Sequence, residues 1–239
     1  MTAERTEKIA LVAGGTGGLG RAVSLLFLEE GYQVSVTYQR QEEYEALQKT
    51  AAAKAAYLEG FNLDVTNEPV VKNLVGDIVR KHRRLDALVN TVGGYAGGLK
   101  LWEMDASVFD KMLALNLRTG FVLSRAAVPV MLQQGSGAIV NIAAKAALDH
   151  GAGAAAYAAS KAAALAMMDS LAADLKGTGV RVNSVLPSII DTAANRKAMP
   201  DANFAKWPKP EDIARVIRFL CSDDAKVVHG AALPVYGDS

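Results

Sequence analysis

The chain has 239 residues, a formal net charge of +1 and a single cysteine. Its length suits one α/β domain with one substantial core, and its near-neutral charge excludes nucleic acid or an anionic membrane as the main partner. Cys221 has no internal disulfide partner, which fits a reducing compartment.

The first eight residues, Met1 to Lys8, are charged and lack the apolar core of a secretory signal. No apolar run approaches the ~18 residues of a membrane helix, so the expectation is a soluble cytoplasmic protein. Strands are predicted over 9–13, 34–37, 56–59, 87–90, 138–142 and 180–185. They alternate with predicted helices over 20–30, 42–53, 68–82, 107–131 and 157–175. This alternation implies parallel βαβ units with right-handed crossovers. The fold class is therefore α/β, a single doubly wound parallel sheet of the Rossmann type with helices on both faces. One domain spans 1–239, and the less regular stretch 187–210 is expected to be a lid over the site. The basic run Arg80-Lys81-His82-Arg83-Arg84 is read as a solvated helix end complementing the helix dipole.

Directly after the first strand, Ala13-Gly14-Gly15-Thr16-Gly17-Gly18-Leu19-Gly20 opens the first helix. Glycines there permit a tight turn and close approach to a pyrophosphate, whose charge the helix N-terminus favours. Gly14, Thr16, Gly18, Leu19 and Gly20 are the expected phosphate-loop contacts. The second strand ends in Tyr38-Gln39-Arg40 with no carboxylate. An acid there would bind ribose hydroxyls and repel a 2′-phosphate, whereas Arg40 can pair with one, so NADPH is favoured over NADH, with Gln39 and Arg40 at the site. The competing reading is that Arg40 only begins a polar helix turn, paired with Glu42 or Glu43. Asp64 and Val65, after the third strand, are placed to meet the adenine; alternatively Asp64 or Thr66 caps the helix that follows.

Tyr157 and Lys161 are four residues apart, so a helix puts them on one face. A nearby ammonium would lower the phenol pKa and let Tyr157 move a proton near neutral pH. In an Ala-rich helix the same pair also arises by chance. His150 and His229 are scattered, with no metal-ligand spacing, and no metal is expected.

Together, the Gly-rich loop, Asn90-Thr91-Val92-Gly93, Asn116, the Tyr157/Lys161 pair, Asn183 and Pro187 with Thr192 resemble the short-chain dehydrogenase/reductase family. The resemblance implies that Tyr157 is the general acid/base, that Lys161 tunes it and binds the nicotinamide ribose, and that Asn116 positions a water in a proton relay. It adds Asn90, Gly93, Pro187, Ile190 and Thr192 to the cofactor contacts. The serine of the family pattern falls thirteen residues before the tyrosine, where this chain has Ala144. Losing one hydrogen-bond donor to a developing oxyanion costs about 3 kcal/mol, ~100-fold in rate. Ala144 thus argues against ordinary ketone reduction and is compatible with a substrate whose incoming electrons spread over a conjugated ring.

Three segments narrow the resemblance to dihydropteridine reductase, a branch that also lacks the serine. They are Gly93-Gly94-Tyr95-Ala96-Gly97-Gly98, then Ala144-Lys145-Ala146-Ala147-Leu148-Asp149, then Leu186-Pro187 through Asp191-Thr192, Asn195-Arg196-Lys197, Met199-Pro200 and Trp207. The branch implies hydride transfer from NAD(P)H to a quinonoid dihydropterin, although it favours NADH through an acid this chain lacks. Tyr95, Ala144 and Lys145 are the expected substrate contacts. Tyr95 would stack on a flat ring or pack under the lid. Lys145 would polarise a carbonyl or pair with Asp149. Trp207 is read as a buried anchor of the lid. Two alternatives stand beside this reading: a general short-chain carbonyl or 3-oxoacyl reductase, and a non-catalytic NADP(H)-sensing protein. Apolar residues on more than one face of the helices from Ser107 and Ala155 suggest a homodimer or homotetramer.

Overall fold

The computed structural model describes residues 7–239. Seven strands form one parallel sheet in the order β3-β2-β1-β4-β5-β6-β7. They are β1 Ile9–Ala13, β2 Gln33–Tyr38, β3 Leu58–Asn62, β4 Ala87–Asn90, β5 Gly137–Ile142, β6 Val180–Pro187 and β7 Ala232–Val235. The intervening helices are α1 Gly18–Glu29, α2 Gln41–Ala51, α3 Glu68–His82, α4 Ala106–Leu113, α5 Thr119–Gln134, α6 Ala155–Asp174, α7 Ala193–Ala198 and α8 Pro210–Cys221.

Side chains alternate along a strand, so β1 sends Ala10 and Val12 to one layer and Ile9, Leu11 and Ala13 to the other. The first layer is covered by α1 (Val23, Phe27), α2 (Leu47) and α8 (Ile213, Ile217, Leu220). The second is covered by α3 (Val71, Leu74, Ile78), α5 (Leu123, Met131) and α6 (Met168, Ala172). Strand order reverses between β1 and β4, and the crevice at the carboxyl ends there is where doubly wound sheets bind ligands.

The structure differs from the sequence reading in four places. The third strand starts at Leu58 because a 3-10 turn, Ala52–Tyr57, takes up the residues before it. The helix expected over 107–131 is interrupted by a π-turn, Ala114–Arg118, and Asn116 sits inside it. α8 and β7 were not anticipated; α8 is amphipathic and starts with proline at its first position, a start signal lying just past the irregular stretch. The cap of α3 is neither Asp64 nor Thr66 but Asn67, whose side chain accepts from the Val70 amide. The basic end of α3 is largely neutralised, with Arg80 paired to Asp77, Lys81 to Glu59 and Arg84 to Asp86. Among the described residues no helix is long and apolar enough to cross a membrane.

Candidate active site

The turn after β1 closes on β2. Gly14 has φ +73°, a left-handed conformation suited to glycine, and its amide donates to Thr37 Oγ1 at 2.9 Å. A Cβ at Gly20 would stand 2.1 Å from the Gly14 carbonyl oxygen, so the helix can approach the loop only without one. No side chain caps α1, whose N-cap is Gly17. Its leading amides, at Gly18 and Leu19, therefore face the crevice as a ready anion site. Thr91 donates to the Ala13 carbonyl at 2.7 Å and fastens the end of β4 to the same turn.

Asn90 is buried, and its amide donates to Asn141 Oδ1 at 2.9 Å while its oxygen accepts from the Val92 amide. Its side chain is thus committed to the protein interior. Gln39 donates to the Leu63 carbonyl at 2.8 Å, joining the ends of β2 and β3. Asp64 accepts from the amide and hydroxyl of Thr66, both at 2.8 Å, with buried Val65 between them. Arg40 pairs with Glu43 and lies 4.0 Å from Glu42, as its competing reading had it.

On α6, Lys161 is 5% exposed and donates from Nζ to the Ile142 carbonyl at 2.8 Å. Burial pulls its pKa down to about 8. Tyr157 is pushed up to about 12, first by burial and then by the neighbouring Tyr95 phenol. The expected lowering of the Tyr157 pKa by Lys161 is not seen: burial and the Tyr95 phenol raise it instead.

The π-turn presents Asn116 to the same place; such bulges recur at functional sites. Its Nδ2 donates to Ser160 Oγ at 2.9 Å and to the Gly94 carbonyl at 3.0 Å, and its Oδ1 accepts from the Gly94 amide at 2.9 Å. Ser160 donates in turn to the Tyr157 carbonyl at 2.7 Å. The amide of Asn116 thus braces α6 against the loop after β4. Ser160 was not singled out in the sequence, though its place one residue before Lys161 is the signal that could have found it.

Tyr95 is 70% exposed and meets the Tyr157 ring edge-on, so it does not lie under the lid. Ala144 is buried and brings only a methyl group to the serine position. Lys145 makes no ion pair with Asp149; residues Lys145–Ala147 form a 3-10 turn rather than an α-helix, and the ammonium stands 5.2 Å from the centre of the Tyr236 ring.

The segment after β6 leans on the Gly-rich loop. Thr192 caps α7 by accepting from the Asn195 amide, and its methyl group would be 2.7 Å from a Cβ at Gly18. Asn195 also donates to the Ile190 carbonyl. Arg196 pairs with Asp191 and stacks over Phe204, which tilts against Trp207. Trp207 is buried. Ser188 donates to the Tyr236 carbonyl at 2.6 Å, tying Pro187 and its neighbours to the chain's last residues.

These residues fit a nicotinamide dinucleotide. The N-terminus of α1 has no side-chain cap, and of the three N–H donors of Lys161 one goes to the Ile142 carbonyl. At Gly93 even a Cβ would come within 2.9 Å of Asn116 Oδ1 and 3.2 Å of Lys161 Nζ, so the loop must pass bare over both. A model of the short chain dehydrogenase family matches residues 8–203.

The chain belongs to that family.

Among short-chain dehydrogenases it is similar to the 3-oxoacyl-[acyl-carrier-protein] reductase FabG of Thermotoga maritima, 32% identical over 238 residues and 96% of each chain. The 2-(R)-hydroxypropyl-CoM dehydrogenase of Xanthobacter autotrophicus is 33% identical over 243 residues, covering 96% of this chain and 97% of the relative. Of solved structures, ElxO with NADP bound superposes with a TM-score of 0.91 at 28% identity, over 97% of this chain and 98% of that one. NAD+-bound xylitol dehydrogenase gives 0.89 at 25% identity, over 98% and 100%. The short-chain dehydrogenase identity accounts for the sheet order and the Rossmann-type domain. These relatives are named as a 3-oxoacyl reductase and a hydroxypropyl-CoM dehydrogenase, not as dihydropteridine reductases.

Proposed function

We propose that this short-chain dehydrogenase is an NAD(P)H-dependent reductase of a small carbonyl or conjugated acceptor. A bound nicotinamide supplies the hydride. Tyr157 donates the proton, and Lys161 holds a ribose through the N–H donors that Ile142 leaves uncommitted. Asn116 and Ser160 fix the height and direction of Tyr157 by bracing its helix turn. What supports the reading is the meeting of Lys161 and Asn116 at Gly93, with Tyr157 one helical turn before Lys161 and the Gly-rich turn without a side-chain cap. A pure nucleotide sensor has no use for a tyrosine placed there.

The relatives favour the general reading, a short-chain carbonyl or 3-oxoacyl reductase. Ala144 favours a second one, in which the acceptor is planar and conjugated, such as a quinonoid dihydropterin. Such an acceptor spreads the developing charge and does not need the missing hydroxyl. Tyr95 offers such a substrate an aromatic face at the mouth of the site. NADPH is the preferred cofactor, with Arg40 the cation for its 2′-phosphate, and Asp64 and Val65 flank the adenine. Residues 187–210 act as the lid, and α4 to α6 supply the surfaces of a homodimer or homotetramer.

Steady-state oxidation of NADPH and NADH by the purified protein separates these readings. It is run with quinonoid dihydropterin, with simple ketones and with 3-oxoacyl thioesters. Ketone or thioester turnover without pterin turnover supports the general reading, and the reverse supports the conjugated one. Tight nucleotide binding without turnover of any acceptor removes both.

A further inference from the structure

We propose that Glu43 narrows the preference for NADPH over NADH, opposing the 2′-phosphate that Arg40 attracts; this rests on the dinucleotide reading of the site. The end of β2 carries no acid, yet the fold returns one to it from α2. The Glu43 amide donates to the Arg40 carbonyl at 3.2 Å, which folds the first turn of α2 back over the strand end. One oxygen of the Glu43 carboxylate then accepts from Arg40, and the other accepts from Thr16 Oγ1 at 3.2 Å. Thr16 is a buried member of the Gly-rich turn, so the carboxylate is tied to the phosphate loop itself.

Arg40 is thereby held between Glu43 and Glu42. A 2′-phosphate brings a charge of about −1.5 to −2 at neutral pH. To bind, it must share or displace the guanidinium, and it must lie close to the Glu43 charge. A plain ribose makes neither demand, and its hydroxyls can donate to the carboxylate. Glu43 thus does from α2 what the absent acid would do at the end of β2.

The test is the dissociation constant of NADPH and of NADH, read from nucleotide fluorescence, for the full-length protein and its E43Q and E43D variants. Glu43→Gln keeps the size and an acceptor for Thr16 but removes the charge. It should tighten NADPH about tenfold and weaken NADH a few-fold, with the NADPH gain shrinking at high salt. Glu43→Asp keeps the charge and should keep the ratio within about threefold of the parent. A ratio that stays put in Glu43→Gln, or moves toward NADH, overturns the proposal; the second result would make Glu43 a positioning partner that aims Arg40 at the phosphate. A parent protein that binds neither nucleotide overturns the dinucleotide reading and this inference together.

Discussion

The rings of Tyr95 and Tyr157 meet edge to face, with centroids 5.0 Å apart and planes at 75°. Tyr95 is mostly exposed and Tyr157 partly buried, so a solvent-facing aromatic ring packs against the Tyr157 ring. Tyr157→Phe should lower turnover ~100-fold or more while changing NADPH affinity less than about threefold, in keeping with the usual worth of a general acid. Parallel turnover and nucleotide-binding measurements check it, and undiminished turnover removes Tyr157 from the chemistry. Tyr95→Phe should let the Tyr157 phenol ionise at lower pH, because one neighbouring phenol no longer opposes its charge; ultraviolet titration of the nucleotide-free protein reads this.

Lys161 has its pKa lowered by burial to about 8, from an ordinary 10.5. For a group whose folded-state pKa is depressed, the penalty on folding is full below the folded value and disappears above the unfolded one. Stability contributed at this position should therefore rise between about pH 8 and pH 10, by roughly 3 kcal/mol over the whole titration. Denaturant unfolding of the parent and of Lys161→Met across that window should show the rise in the parent and its absence in the variant. Parallel curves would mean that Lys161 is better solvated than its burial suggests.

Ala144→Ser restores a hydroxyl at a buried position where the backbone is extended. If the natural acceptor is a ketone or 3-oxoacyl thioester, kcat/KM for it should rise ~10- to 100-fold. With a quinonoid dihydropterin the gain should stay within about threefold, since no single oxygen collects the charge. The ratio of the two gains, measured on one preparation, is the quantity that decides.

Asp191 and Arg196 form a two-point ion pair, and hydrogen bonding to Arg196 holds the Asp191 carboxyl below the usual range. Asp191→Asn should loosen the segment that leads to Phe204 and Trp207. KM for the acceptor should then rise several-fold, with kcat and NADPH affinity changed less than about threefold. A variant with unchanged KM would show that this pair does not shape the acceptor pocket.

Much of this arrangement is legible in the sequence because it is local. The Gly-rich turn, the Tyr157/Lys161 spacing and the alternation of strands with helices all follow from residues near one another in the chain. What escaped depends on closure between distant segments. Asn116 is picked out by the family resemblance, but its bonds to Gly94 and Ser160 depend on a π-turn that no local pattern announces. Lys145 reads as a partner for Asp149 only if the turn is α-helical, and it is not. Glu43 looks like a solvated charge in a polar helix until the fold sets it against Thr16. α8 and β7 lie beyond the irregular stretch 187–210, where the regular strand–helix alternation breaks off.

The contact between the Thr192 methyl group and Gly18 has a thermodynamic consequence. The loop that would receive a pyrophosphate and the segment that would cover an acceptor share one van der Waals surface. Any ligand that shifts one side of that surface changes the free energy of the other, and the coupling is reciprocal. The two substrates of a reduction would then not bind independently: whichever arrives first alters the affinity met by the second, by the same factor in either order.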